Sequence, residues 1–158
     1  MKQLTSEKIL KNETREVAQR VGFCVVEVYR LSEGIGFSDE VNQSILELVI
    51  RNLRTLECPS KSETYLLTLD MFERVGQTPL LKAIITLGDN GKEFAVSLFR
   101  TILTAIDSTF SSTPRKSKSK RSSRTKTDVV SQMTEEELSV HRDRVKRVSM
   151  DTIIAILD

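Results

Sequence analysis

Apolar residues recur along this chain at helical spacing. From Val17 to Leu31, the positions Val17, Val21, Cys24, Val25, Val28 and Leu31 share one helix face, and Gly34 is placed to end that helix as a left-handed C′ residue. Ser38 offers an N-cap, and Asp39 and Glu40 supply first-turn acids to a second helix. Its apolar face is Val41, Ile45, Leu48, Val49, Leu53 and Leu56, and it should stop before Cys58-Pro59. Ser60 and Glu63 have capping-box spacing and open a third helix through Tyr65, Leu66, Leu69 and Phe72 to Gly76. Thr78-Pro79 predicts an N-cap followed by proline at the first helical position, then a short helix from Leu80 to Leu87 and a turn over Gly88-Asp89-Asn90-Gly91. Phe94, Ala95, Leu98, Phe99, Ile102, Leu103 and Ile106 form so broad a face that their helix is expected to be the most buried. Thr134 and Glu137 repeat the capping box before a last helix toward Leu157, with Leu138, His141, Val145 and Val148 on a narrow stripe.

This pattern predicts an all-α fold of five to six helices, in an antiparallel bundle or a short right-handed superhelix. Ile84-Ile85-Thr86 has strand character but is short and lacks a hairpin partner. The expected organisation is a helical body over 1–110, a basic Ser/Lys/Arg-rich linker over 111–133, and a C-terminal helix over 134–158 that docks on the body or on a partner. SKSETYLLTLDMFERVGQTPLLKAIITL, which starts at Ser60, resembles the middle of VHS/ENTH-type and related CTD-interacting helical superhelices. In these an aliphatic helix ends in a small-residue turn before a short helix and another long apolar one. The resemblance covers about residues 41–110 and implies a superhelical fold that recognises short peptides. Glu73-Arg74-Val75-Gly76 stands where many VHS domains have an Asn-Cys-Gly turn, and Trp is absent, so no functional residue carries over.

Charge changes the picture. The 158 residues carry a net +2, yet 1–110 hold 13 basic and 15 acidic side chains, and 128–158 hold four and seven. The 17 residues from Ser111 to Thr127 hold seven basic residues and no acid, all within a Ser, Thr, Pro, Lys and Arg composition that cannot enter a core. Arg115, Lys116, Lys118, Lys120, Arg121, Arg124 and Lys126 therefore read in three ways. They suit a nuclear-import signal, a sequence-independent contact to nucleic-acid phosphates, or a solvated linker. No aromatic is interleaved, so base stacking is not expected there. Ser122, Ser123 and Ser149 follow paired basic residues as basophilic-kinase sites do, and Thr113-Pro114 suits a proline-directed kinase.

Candidate chemistry is sparse. His141 is the sole histidine and reads as a partly buried interface residue. Cys24 reads as a packing residue and Cys58 as a surface one, neither with a neighbouring base, and two Cys exclude a disulfide scaffold. No zinc or calcium ligand spacing occurs, and Gly34-Ile35-Gly36 lacks the strand and third glycine of a nucleotide fingerprint. Ile84 to Asp89 has the outline of a BH3 core, but Gly91 follows too soon for a groove-binding helix. No catalytic residue, metal or cofactor is expected. No apolar run approaches the ~20 residues that span a bilayer, and MKQLTSEK has no signal-peptide core, so a nuclear or cytoplasmic location is expected. The leading expectation is a non-enzymatic interaction module with a protein partner, and nucleic acid as a second partner through 115–126. An anionic membrane surface is the less favoured partner, and homo-oligomers stay open. The alternatives are a VHS/ENTH-like trafficking adaptor or a small viral RNA-binding or structural protein.

Overall fold

The computed structural model describes residues 6–58, 60–111 and 134–157. Among them are seven α-helices, one 3-10 turn and no strand, so the chain is all-α. In order these are α1 (Glu7–Leu10), α2 (Arg15–Leu31), α3 (Asp39–Leu53), the 3-10 turn Arg54–Glu57, α4 (Glu63–Val75), α5 (Leu80–Thr86), α6 (Gly88–Ser111) and α7 (Glu135–Leu157). The helices bundle around α3, which touches α1, α2, α4, α5 and α6, while α7 packs on α6, α4 and α5. The predicted face of α3 is buried and widens to include Leu46, Ile50, Asn42 and Asn52. This makes α3 more enclosed than α6. On α6, Leu98, Ile102 and Ala105 are buried, but Val96 and Leu103 lie on its exposed outer side and Phe99 is half-buried.

Small residues turn α2 away from its expected face. Its buried side is Ala18, Gln19, Gly22, Val25, Val26 and Tyr29, while Val17, Cys24 and Leu31 are exposed. The reason is close approach: a Cβ on Gly22 would run into the Asn52 amide and the Met71 sulfur. Only the Ala18–Gly22 side lets α2 settle against α3 and α4, and that gain outweighs burying Val17 and Leu31. Across this crossing Asn52 Nδ2 donates to the Ala18 carbonyl (2.9 Å) and Gln19 Nε2 to Thr55 Oγ1 (2.9 Å).

Helix ends differ from expectation by one or two residues. α2 closes in a Schellman motif, with Gly34 N–H bonded to Tyr29 O (3.1 Å) and Glu33 N–H to Arg30 O (3.3 Å). The left-handed C′ residue is therefore Glu33, at φ 51°, with Gly34 one position later. Glu33→Gly should raise thermal stability by about 0.5–1 kcal/mol, since glycine meets no Cβ penalty there. A lower melting temperature would contradict that assignment. α4 starts on Ser62, whose hydroxyl accepts the Tyr65 N–H at 3.2 Å, and not on Ser60. Glu63, displaced from the box, pairs with Arg20 at 2.8 Å. Pro79 holds the N-cap position of α5, and Thr78 is buried with its hydroxyl on Val75 O. The turn expected over Gly88–Gly91 is absorbed into α6: Gly88 (φ 61°) reverses the chain as the first residue of that helix. The second capping box forms fully, with Thr134 N–H on the Glu137 carboxylate (2.8 Å) and Glu137 N–H on the Thr134 hydroxyl (3.3 Å).

Candidate interaction surface

A concavity lies between α3 and α6. Gln43, Glu47, Ile50 and Arg51 of α3, with Arg54 of the 3-10 turn, form one wall; Asn90, Glu93, Phe94 and Ser97 of α6 form the other, enclosing about 550 Å3. Arg51 and Arg54 also border a smaller hollow that reaches Glu13 and Arg15, and Glu93 and Ser97 border one that reaches Lys92, Val96 and Arg100. The three share walls and run on as one strip. Along it stand five cations (Arg15, Arg51, Arg54, Lys92, Arg100) and three acids (Glu13, Glu47, Glu93), a local positive excess on a body with more acids than bases. Arg51 is anchored by donating to Leu10 O at 3.0 Å and Lys92 pairs with Asp89 at 2.8 Å. Ile50, Phe94 and Val96 add apolar edges. Such a strip suits an extended segment held by charge and shallow apolar contact.

A second polar region joins α7 to α4. Arg144 donates to Asp70 and to Glu73, both at 2.6 Å, and Arg147 reaches Glu73 at 3.2 Å. The hydrogen bond from Arg144, opposed in part by burial, leaves the Glu73 carboxyl below the ordinary glutamate range. Lys61 pairs with Glu137 at 2.7 Å and, with the capping bonds from Thr134, draws its pKa down to about 2. His141 lies half-buried with its ring edge-on to the buried Tyr65, centroids 5.8 Å apart. Burial pushes the Tyr65 phenol up to about 12.

Burial, and then the Arg144 charge, push the His141 pKa below 6.5, with Glu137 opposing. The unfolded chain thus binds the histidine proton more readily than the folded one. Stability should be complete above pH 6.5, fall as pH drops below it, and level off under the folded pKa. Urea midpoints of the parent and of His141→Gln between pH 7.5 and 5 would read this, and parallel curves for the two would contradict it.

Of the residues singled out by sequence, Arg115, Lys116, Lys118, Lys120, Arg121, Arg124, Lys126, Thr113, Ser122 and Ser123 lie outside the described residues. Ser149 is described and is wholly buried, so a kinase cannot reach it while α7 is docked. Cys58 is exposed as expected, and Cys24 is exposed rather than packed, because α2 presents its other side to the core. Among the described residues no three His, Cys, Asp or Glu side chains converge as metal ligands, and no helix is long and apolar enough to cross a membrane. Sequence reasoning missed the α3–α6 strip, since Arg51 and Arg54 look like an ordinary solvated helix edge.

The model of the family described as "Sister chromatid cohesion protein PDS5 protein" matches residues 1–149. The chain belongs to the PDS5 family. Its bounds take in the helical body, the basic segment and most of α7. It upholds the expectation of an all-helical interaction fold and corrects its detail, because the family is PDS5 and not the VHS/ENTH group. The shared pattern of apolar helices and small-residue turns belongs to helical superhelices in general and could not separate the two. No curated protein and no solved structure matches the chain.

Proposed function

We propose that this chain is a non-enzymatic helical interaction module serving sister chromatid cohesion in the nucleus. The strip between α3 and α6 is its protein-facing surface, and Arg115 to Lys126 act as an import signal or a nucleic-acid contact. Phosphorylation of Thr113, Ser122 or Ser123 would lower the charge of that segment by about 1.5–2 units per phosphate. The observation that carries this reading is the PDS5 match over residues 1–149, which takes in the basic segment together with the folded helices.

Imaging the full chain as a fluorescent fusion tests both parts. Replacing the seven cations from Arg115 to Lys126 with Gln should abolish nuclear accumulation, or leave it intact while removing DNA and RNA binding in vitro. Arg51→Glu with Arg54→Glu should keep the protein nuclear but release it from chromosomes. Unchanged location and binding in the Gln variant would reject the role of the basic segment. Binding to anionic vesicles in place of nucleic acid would favour a membrane adaptor instead. Chromosome retention by the Arg51/Arg54 variant would reject the strip.

A further inference from the structure

Two kinds of contact hold α7 to the body. At its rim the contact is ionic, with Arg144 and Arg147 on Asp70 and Glu73, and Lys61 on Glu137. At its centre Val145 and Val148 are buried beside Ser149 and Thr152, which are equally inaccessible. Neither of those hydroxyl oxygens has a hydrogen-bond partner among the described residues, and Tyr65 Oη and His141 Nδ1, at the same α4–α7 contact, have none either. Thr152 sits over Gly76, where a Cβ would come within 3.3 Å of its hydroxyl. A buried polar group without a partner has given up its water for nothing. Undocking restores water to all four atoms, so this contact opens at lower cost than an apolar one of the same area.

Ser149 adds a second feature. It follows Lys146-Arg147-Val148, the arrangement that basophilic kinases read, and Lys146 and Arg147 are both exposed. The recognition charges face solvent while the acceptor hydroxyl faces the core. Recognition and reaction at this site therefore cannot occur together while α7 is docked.

We infer that Ser149 is a phosphorylation site gated by undocking of α7, and that phosphorylation holds the helix in the released state. In the reaction Ser149 Oγ attacks the γ-phosphorus of ATP held by the kinase. The bond from that phosphorus to the bridging oxygen breaks, ADP leaves, and the hydroxyl proton passes through the kinase's base to solvent. The phosphoserine carries about −1.5 to −2 charge and cannot return to a fully buried position beside Val145 and Val148. Release then uncovers the side of α4 that carries Tyr65 and Gly76. This deepens the phospho-regulated part of the proposed function and rests on it for the presence of a kinase.

The test incubates the full chain with ATP and a purified basophilic serine/threonine kinase, with site occupancy read by mass spectrometry. Amide exchange across residues 145–152 is followed in parallel. Asp70→Asn with Glu73→Gln loosens the rim without touching the core, and Glu73→Gln alone serves if the double variant is poorly folded. Loss of these charge-assisted bonds should speed Ser149 modification about tenfold or more, and Lys146→Ala should cancel the gain. The phosphorylated chain should exchange rapidly over 145–152 while residues 98–105 stay protected. Ser149→Ala should slow exchange in α7 and raise the melting temperature, since it removes an unpartnered hydroxyl. Equal rates in the parent and the loosened variants would show that there is no gate. Absence of phosphate on Ser149 in every variant would show that there is no site, and phosphate with α7 still protected would show that modification does not release it. Modification in the basic segment, with none at Ser149, would sink the gate while sparing the wider phospho-regulated reading.

Discussion

Gly91→Ala should destabilise the protein by more than about 3 kcal/mol, a large share of the 5–15 kcal/mol that holds an ordinary domain together. The same change inside an exposed helix would be favourable by about 1 kcal/mol, because alanine is the better helix former. The sign reverses here because Gly91 is buried where the start of α6 crosses the end of α5. A Cβ at Gly91 would fall inside the van der Waals surface of the Ile84 carbonyl oxygen, a backbone atom that cannot swing aside. Accommodating it means prising α5 from α6 and with it Ile84 from the core. Gly88→Ala is the control: its Cβ would meet nothing, but its φ of 61° carries the left-handed penalty of about 1–2 kcal/mol. Denaturant midpoints with unchanged m-values would rank the two. A neutral or stabilising Gly91→Ala would show that the two helices do not approach this closely.

Leu98→Ala should cost about 2–5 kcal/mol, since Leu98 is fully enclosed and its removal leaves a cavity between packed helices. Phe99→Ala should cost well under the ~3–5 kcal/mol of a core phenylalanine, because its ring is only half-buried. Hydrophobicity alone ranks Phe99 above Leu98, and the structure reverses the order. Equal losses for both, measured by urea unfolding, would mean that the outer side of α6 is covered in solution.

Patterns that depend on neighbours along the chain were legible. The Thr134–Glu137 box forms as its spacing predicts, since both partners lie within one turn. The α3 stripe is buried as expected because nearly every apolar residue on it faces another helix. Features that depend on how closely two helices approach were not legible. Gly22 and Gly91 look like interruptions in the sequence, yet each is the point where another element comes too near for a side chain. Gly88-Asp89-Asn90-Gly91 reads as a four-residue turn for the same reason, although a single left-handed glycine does the reversal. On the strip, Ile50 and Phe94 belong to the core stripes of separate helices, and only their crossing brings them beside Arg51 and Arg54. Buried Asn52 gave no signal at all, because its partner is a backbone carbonyl 34 positions away.

The Arg144 clasp also bears on the order in which the molecule assembles. It joins positions 74 and 71 apart, to Asp70 and Glu73, whereas the ion pairs between α2 and α4 span 43 and 47. Closing a long segment costs entropy before any contact repays it, so the clasp should form after the folding barrier is crossed. Interactions formed that late leave the folding rate alone and slow unfolding instead. Arg144→Ala should therefore steepen nothing on the refolding arm of a chevron plot and lift only the unfolding arm. The clasp governs how long the native state lasts, and has little say in how fast it is reached.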